Sequence, residues 1–209
     1  MGLRAVVFDY GMVLTGAQDP EAYAALLRIT GLPADRFEPL YWADRHDLDL
    51  GRLSGLSFWQ KFLRDAALNL APGAADELNR WDARMWTTQN PAMLAWQQEL
   101  KRRGLLTAIL SNISDNVLDS IEHEFAWIDN FDVLVWSYQL RMAKPDPAIY
   151  RRVLEQLGTQ PEETLFIDDK LVNIEAARGV GIRALQFFTV ERLRADLIAS
   201  GLEGELPLP

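Results

Sequence analysis

The fold is decided by the stretch Val6-Val7-Phe8-Asp9-Tyr10-Gly11-Met12-Val13-Leu14. The apolar run from Ala5 to Phe8 is rich in β-branched residues, which predicts a buried strand that ends at the carboxylate of Asp9. In open α/β sheets, functional groups lie just beyond the carboxyl ends of the strands, where the sheet holds the loops in place. An aspartate at a strand end is often only a turn residue that caps its own backbone, so the rest of the chain has to decide what Asp9 does.

Length and charge limit the classes of protein to which the chain can belong. With 209 residues it exceeds one average domain and falls short of two, which favours a core domain that carries an insert. The net charge of -9 argues against nucleic acid or an anionic membrane surface as a partner, because both require a basic face. An anionic substrate would therefore need locally placed positive charge.

Cysteine usage and hydropathy favour the cytoplasm. The chain has no cysteine, which excludes disulfides and thiolate metal sites and fits a reducing compartment. The first residues lack the basic segment and long apolar stretch of a signal peptide. No window approaches the ~20 apolar residues of a membrane span. We therefore expect a cytoplasmic protein.

Helical patterns dominate residues 15–88. Asp19-Pro20 is a typical helix start, and helices are predicted over residues 21–30, 34–43 and 58–68, the last with Ser57 as its N-cap. A fourth helix is predicted between residues 73 and 86, and residues 44–52 are predicted to be a polar loop. No strand pattern interrupts this region.

From Asn90 onward the pattern alternates between helix and strand. Strands are predicted over residues 105–110, 133–136, 164–167 and 182–185. This alternation predicts an α/β fold, a Rossmann-like parallel sheet with helices on both faces. Residues 1–14 and 89–209 would form the core domain, and residues 15–88 an all-helical insert after strand 1. Residues 201–209 are predicted to be a loose tail.

Three further strand ends carry polar residues. They are Ser111-Asn112, Lys144-Pro145-Asp146-Pro147 and Asp168-Asp169. Together with Asp9, and in this order, they resemble the four motifs of the haloacid dehalogenase-like (HAD) hydrolase superfamily, and the resemblance spans nearly the whole chain. Bacterial α-glucose-1-phosphate phosphatases and the N-terminal phosphatase domain of epoxide hydrolases are subgroups with similar motifs. In this superfamily a small helical cap follows the first strand and closes over the active site, so residues 15–88 are expected to be such a cap.

The resemblance implies a phosphatase in which Asp9 attacks phosphorus and forms an aspartyl-phosphate that water hydrolyses. Ser111 would donate its hydroxyl, and Asn112 and Ile113 their backbone N–H groups, to the phosphoryl oxygens. Lys144 would bind the same group as a compact cation and keep Asp9 ionised. The expected partner is a small-molecule phosphate ester, with sugar phosphates among the candidates.

The resemblance also implies a Mg²⁺ site. Asp168 and Asp169 would provide the hard oxygen ligands that Mg²⁺ takes, together with the carboxylate of Asp9 and the backbone carbonyl of Gly11. Asn173 is a candidate to support them. Gly11 departs from the superfamily pattern, because the phosphatases usually carry a second aspartate there as general acid and base. Such an acid is worth about 10²–10⁴-fold in rate. The metal ligand at this position is the backbone carbonyl, which glycine retains.

Two other functions stay open at this stage. A 2-haloacid dehalogenase also lacks the second aspartate, but enzymes of that class need no metal and keep no acidic pair at the fourth motif. A non-catalytic phosphate-ligand-binding protein would keep the fold and lose turnover. Each residue also has an ordinary structural explanation: Ser111 as a turn residue, Lys144 as a solvated loop lysine, and the aspartate pair as a helix cap.

Substrate specificity is expected to come from the helical insert. The polar stretch at residues 44–52 concentrates hydrogen-bonding groups suited to sugar hydroxyls, and Arg45 and His46 are the candidate substrate-binding residues within it. Trp42, beside this stretch, is the tryptophan of the insert expected to contact a ligand, and Asn112 is the candidate in the core. A polar loop between two helices is also commonly just solvated.

Overall fold

The structure is a computed structural model that describes residues 2–208. Within these residues five strands form one parallel sheet: β1 (Ala5–Phe8), β2 (Leu106–Ser111), β3 (Val133–Trp136), β4 (Thr164–Asp168) and β5 (Arg183–Gln186). Their order in the sheet is β3-β2-β1-β4-β5. β1 is central, because Phe8 pairs with Ile109 on one side and with Ile167 on the other. The carboxyl ends of β1, β2 and β4 therefore lie side by side.

A helical block follows β1. Residues 20–85 contain five helices: α1 (Pro20–Thr30), α2 (Ala34–Ala43), α3 (Arg45–Asp49), α4 (Gly55–Asp65) and α5 (Ala74–Met85). Aromatic side chains fill the centre of the block, where Phe37 and Trp59 are fully buried beside Phe62. We call this block, together with its connections to the core, the helical insert.

The two ends of the helical insert meet at one place. Thr15 pairs with Gln89 in an antiparallel bridge. The amide of Asn90 donates to the Leu14 carbonyl at 2.9 Å, and the amide of Gly16 donates to the Thr88 carbonyl at 2.9 Å. The insert is thus joined to the core by two segments that lie side by side, residues 14–16 after β1 and residues 88–90.

Helices cover both faces of the sheet. Successive side chains of a strand point to opposite faces, so Val6 and Phe8 pack into one apolar cluster while Ala5 and Val7 pack into another. The first cluster includes residues of α6 (Pro91–Arg102), α7 (Asp115–Glu124) and α11 (Val190–Ala199). The second includes residues of α9 (Pro147–Leu157) and α10 (Leu171–Gly179). A short helix, α8 (Ser137–Leu140), follows β3. The predicted parallel sheet with helices on both faces is confirmed.

Among residues 2–208, no helix combines the length and the apolar character needed to cross a membrane.

Two predictions within the helical insert are wrong. The polar stretch at residues 44–52 is not a loop throughout, because Arg45–Asp49 forms α3 and Leu48 on its inner side is fully buried. Helix α4 starts earlier than predicted, since Ser54 rather than Ser57 is its N-cap and accepts the Ser57 amide at 3.2 Å. The helix also ends at Asp65, three residues before the predicted end.

The tail predicted to be loose is packed against the core. Leu202, Leu206 and Leu208 are all buried in the same apolar cluster as Phe8. Burying a leucine side chain contributes about 1.5–3 kcal/mol, so three leucines outweigh the flexibility expected of the Gly- and Pro-containing segment around them. The last residue, Pro209, lies outside the described residues.

Candidate active site

A tight turn directly after β1 positions Asp9. The Asp9 amide donates to the Ile167 carbonyl at 2.8 Å, which continues the pairing with β4. The Tyr10 amide donates to Asp9 Oδ1 at 2.7 Å. Met12 then takes a positive φ of 61°, and its amide is held by Thr15 Oγ1 at 3.1 Å. The turn thereby fixes the Asp9 carboxylate at the carboxyl edge of the sheet.

Lys144 joins the carboxylates of two strand ends. Its Nζ lies 2.8 Å from Asp9 Oδ1 and 2.6 Å from Asp168 Oδ2, and the residue is only 3% exposed. The side chain of Asn112 fixes the backbone of Lys144, because Asn112 Oδ1 accepts the Lys144 amide at 2.8 Å and Asn112 Nδ2 donates to the Lys144 carbonyl at 2.9 Å. Lys144 is therefore a buried, precisely oriented cation rather than a solvated loop lysine.

The two adjacent aspartates have different surroundings. Asp168 is fully buried, and its oxygens accept from the Lys170 amide at 2.8 Å and from Asn173 Nδ2 at 3.0 Å as well as from Lys144. Asp169 is partly exposed and lines the cavity described below. Asp168 is thus held in place beneath the site, whereas Asp169 forms part of the cavity wall.

Burial and mutual repulsion control the ionisation of these groups. Burial raises the pKa of Asp9 to about 7; the charge of Lys144 opposes this rise, and the charges of Asp168 and Asp169 add to it. Burial would also raise the pKa of Asp168, but the charge and hydrogen bond of Lys144 outweigh it and lower that pKa. Burial would lower the pKa of Lys144, yet the carboxylates of Asp168 and Asp9 outweigh it and raise that pKa. Lys144 therefore stays charged.

The carboxylate cluster fits a hard divalent cation. One oxygen each from Asp9, Asp168 and Asp169 can be chosen so that all lie within 4.8 Å of one another. Lys144 is the buried lysine among these three carboxylates, so the buried part of the cluster has an excess of negative charge that a cation would balance. Oxygen ligands of this kind are those that Mg²⁺ takes, usually with one or two carboxylates and several waters.

A cavity of about 500 Å³ lies between the sheet edge and the helical insert. The core contributes Asp9, Gly11, Ser111, Asn112, Lys144 and Asp169 to its wall, and the insert contributes Trp42, Arg45, Asp49 and Trp86. The structure thereby brings together most of the residues predicted from sequence. Ser111 is buried at the end of β2.

Three of the predicted substrate contacts differ from expectation. His46 does not line the cavity and is exposed, because α3 turns Arg45 and Asp49, four residues apart, to the cavity side and His46 away from it. The Ile113 amide, expected to face a phosphoryl oxygen, donates instead to Ser137 Oγ at 2.9 Å. The Asn112 side chain is used by the Lys144 backbone, so its role in this structure is to position Lys144.

Arg45 is tied into a buried cluster within the helical insert. Its NH1 group lies 3.2 Å from both oxygens of Asp82, which is fully buried, and 2.7 Å from the Tyr41 hydroxyl. Asn116 Nδ2 of the core helix α7 donates to Asp82 Oδ2 at 3.1 Å and thereby links the insert to the core. Sequence reasoning missed Asp82, although a signal existed: Leu78, Asp82 and Met85 share one apolar helical face, where a carboxylate needs a buried partner.

Comparisons with known proteins agree with this fold. Residues 3–181 match the family model described as a haloacid dehalogenase-like hydrolase. The chain is 34% identical over 189 residues to a phosphatase of Mycobacterium tuberculosis, covering 88% of this chain and 87% of that protein. It is 26% identical over 187 residues to a phosphorylated carbohydrates phosphatase of Thermotoga maritima, covering 88% of this chain and 84% of that protein. A HAD family enzyme of Bacteroides thetaiotaomicron, solved with magnesium and inorganic phosphate, superposes with a TM-score of 0.74 at 23% identity, covering 88% of this chain and 94% of that one.

Proposed function

The chain belongs to the haloacid dehalogenase-like hydrolase family, and we propose that within it the protein is a Mg²⁺-dependent phosphatase of small phosphate monoesters. One observation carries the proposal: the Asp9 carboxylate lies against the buried Lys144 in a cluster of three aspartates at the base of a cavity. A nucleophile, a cation and oxygen ligands for a metal are thereby within reach of one bound phosphoryl group.

In the first step of the proposed reaction, Asp9 displaces the alcohol. Its Oδ1 is engaged by the Tyr10 amide and by Lys144, so we assign Oδ2 as the oxygen that forms the new bond to phosphorus. The bond between phosphorus and the ester oxygen breaks, and its electron pair leaves with the alcohol oxygen. Lys144 and the Ser111 hydroxyl would stabilise the negative charge on the phosphoryl oxygens.

In the second step, water hydrolyses the aspartyl-phosphate and regenerates the Asp9 carboxylate. Asp9, Asp169 and Asp168, with the Gly11 carbonyl, would hold Mg²⁺, which supplies charge neutralisation to the transferring phosphoryl group when it is bound. At Gly11 the side-chain acid is missing, so the departing oxygen would take its proton from water. The resulting loss in rate should be greatest for esters whose alcohols are poor leaving groups.

The helical insert would act as the cap over this site. Residues 15–88, set against a core of residues 1–14 and 89–209, contribute Trp42, Arg45, Asp49 and Trp86 to the cavity wall. Exclusion of water strengthens electrostatic interactions with a bound phosphate. The Thermotoga maritima relative is named a phosphorylated carbohydrates phosphatase, which supports sugar phosphates as candidate substrates. The cytoplasm remains the expected location.

The carboxylate cluster also weighs against the 2-haloacid dehalogenase alternative. A haloacid would bring its own carboxylate towards Asp9, Asp168 and Asp169, which face one buried lysine. A divalent cation removes this repulsion for a phosphate ester, whereas dehalogenation in this superfamily uses no metal. The phosphatase is therefore the better supported function.

A substrate panel tests the proposal. Wild-type protein and the Asp9→Asn variant are assayed on aryl phosphates, sugar phosphates and 2-haloacids, each with Mg²⁺ and with EDTA. We expect phosphate release by the wild type that needs Mg²⁺, and none by Asp9→Asn. Halide release that persists in EDTA would establish the dehalogenase instead, and binding of phosphate esters without turnover would establish a non-catalytic protein.

A further inference from the structure

Asp49 carries a buried carboxylate oxygen that the protein leaves without a donor. It is the last residue of α3 and lines the same cavity as Asp9. Within residues 2–208, its Oδ1 atom is buried and has no hydrogen-bond partner. The nearest cation is Arg45, whose Nε lies 3.8 Å from Oδ1, beyond hydrogen-bond distance. Buried carboxylate oxygens normally accept hydrogen bonds, so one that does not requires an explanation.

The backbone around Asp49 is fixed to the core beside Ser111 and Asn112. Ser137 Oγ donates to the Asp49 carbonyl at 2.6 Å and accepts the Ile113 amide at 2.9 Å. Two residues on, Gly51 has a positive φ of 67°, and a Cβ atom there would come within 2.9 Å of the Tyr138 carbonyl. The helical insert thus approaches the core so closely here that only glycine fits. The position of Asp49 relative to the strand ends is therefore well defined.

The electrostatic surroundings of Asp49 are mixed. Burial raises the pKa of its carboxyl group, and the charges of Arg45 and Lys170 oppose this rise. Lys170 reaches the cavity from the core side, and Arg45 reaches it from the same helix as Asp49. A ligand next to Asp49 is therefore also next to two cations. Such a setting suits a neutral group that both donates and accepts hydrogen bonds.

We propose that Asp49 is the specificity-determining residue of the cap, and that it selects phosphate esters of polyhydroxylated alcohols by accepting hydrogen bonds from their hydroxyl groups. This inference rests on the proposed phosphatase function and names the substrate class of that site. A hydroxyl can donate to Asp49 and accept from Arg45, whereas a ring without hydroxyls would leave the buried oxygen of Asp49 without a donor.

The tryptophans of the same wall fit a sugar ring. Trp42 is 46% exposed, and its ring lies at 6.5 Å, centroid to centroid, from that of Trp86 in an edge-on arrangement. Trp42 Nε1 donates to Glu38 at 2.7 Å, which fixes the orientation of the ring. A sugar presents C–H groups on its faces and hydroxyls at its edge. Aromatic surface next to a carboxylate matches both.

Two matched substrate pairs test the proposal. One pair is D-glucose 6-phosphate and cyclohexylmethyl phosphate, and the other is α-D-glucose 1-phosphate and cyclohexyl phosphate; in each, the second member has a ring of similar size without hydroxyls. In at least one pair we expect the wild type to favour the sugar in kcat/KM, and Asp49→Asn to lower that preference by about 10- to 100-fold, as loss of hydrogen bonds to a charged acceptor implies. Asp47→Asn is the matched control, because Asp47 is on the same helix, pairs with the exposed Arg52 and does not line the cavity. It should leave the preference as in the wild type.

A second measurement needs no variant. The wild type is assayed on deoxy analogues of the preferred sugar phosphate, each lacking one hydroxyl, and we expect at least one analogue to lose about tenfold or more in kcat/KM. Equal rates across the deoxy series, an equal fall on both members of each pair in Asp49→Asn, or no fall at all would each overturn the role of Asp49. Hydrolysis of cyclohexyl phosphate or phenyl phosphate by the wild type with Mg²⁺ would show that the phosphatase function stands in that case. A wild type without activity on any ester would overturn the proposed function itself.

Discussion

Two buried charge clusters, one at the sheet edge and one in the helical insert, use the same kinds of side chain in different ways. At the sheet edge, Lys144 lies against Asp9 and Asp168. In the insert, Arg45 lies against Asp82. In both clusters the cation and its nearest carboxylates are almost completely buried. We call them the core cluster and the insert cluster.

The clusters differ in how fully their carboxylates are bonded. Asp82 accepts from the Tyr41 hydroxyl at 2.7 Å, from Arg45 at both oxygens and from Asn116 at 3.1 Å. The contacts of Asp9 with Tyr10 and Lys144 both involve Oδ1. A carboxylate bonded at both oxygens holds two elements together, whereas one bonded at a single oxygen can still form a new bond. The comparison favours a structural role for the insert cluster and supports the proposed chemical role of Asp9 in the core cluster.

Removal of the cation of the core cluster should have the largest effect. Lys144→Met leaves Asp9 and Asp168 buried without a counter-charge, and we expect kcat to fall by about 10²–10³-fold and the free energy of unfolding by about 3–5 kcal/mol. Activity assays and urea unfolding measure the two losses. Lys101→Met is the control, because Lys101 forms a more exposed ion pair with Asp132 and should cost at most about 1 kcal/mol without loss of activity. A Lys144→Met protein as active as the wild type would remove the core cluster from the mechanism.

Neutralisation of the insert cluster should affect stability more than chemistry. Asp82→Asn keeps the shape of the side chain but leaves Arg45 without its fully buried counter-charge, so we expect the free energy of unfolding to fall by about 3 kcal/mol. The fall in kcat should be smaller than that caused by Lys144→Met. Urea unfolding and steady-state kinetics on the same preparations decide the point. A loss of kcat as large as that of Lys144→Met, with stability preserved, would contradict the division of roles.

Competition between protons and Mg²⁺ for the Asp9 carboxylate should distinguish the core cluster from the insert cluster. In the protein without metal, burial raises the pKa of Asp9 to about 7, and Mg²⁺ requires the ionised carboxylate. Below that pH the cation must displace a proton, so the affinity for Mg²⁺ should fall by about tenfold for each pH unit. Titration calorimetry at and below neutral pH measures the slope. Asp9→Asn should reduce it, and a wild-type affinity independent of pH would show that Asp9 is not a ligand.

The smallest effect is expected at Gly11. Its φ of −65° and ψ of 133° suit any L-residue, and a Cβ atom there would meet nothing within 4 Å, so Gly11→Asp should fit. The added acid should speed esters with poor leaving groups by up to about tenfold and good ones little, within the range of acid catalysis. A plot of kcat/KM against leaving-group pKa should therefore be steep for the wild type and flatter for Gly11→Asp. A flat wild-type plot would mean that another group already supplies the proton.

The sequence was sufficient to predict the sheet and the residues at its edge. Parallel strands place their carboxyl ends at one edge, so Asp9, Ser111 and Asp168 could be expected together from local patterns alone. Which of the two adjacent aspartates faces the cavity could not be predicted, because that depends on how Lys144 and Asn173 engage Asp168. The sequence was adequate wherever the position of a residue depends only on the strand that it follows.

The helical insert was harder to predict in detail. Helix α3 has five residues, too few for a clear apolar period, so the sequence pattern predicts a loop there and does not show that His46 points away from the cavity. The partner of Arg45 is Asp82, 37 residues away, and only the packing of α5 brings the two together. The tail was also hard to predict, because Leu206 is buried in the apolar cluster around Phe8, whose residues are distant in the chain. Long-range packing decided each of these features.

The central claim is that Asp9 carries the phosphoryl group during turnover, and trapping that intermediate tests it most directly. The wild type is mixed with an aryl phosphate and Mg²⁺, quenched with acid during the first turnover, digested and examined by mass spectrometry. We predict a phosphoryl group on the peptide that contains Asp9, lost on omission of Mg²⁺ and absent from Asp9→Asn. Turnover with no adduct on Asp9, or with the phosphoryl group on Ser111 instead, would contradict the account.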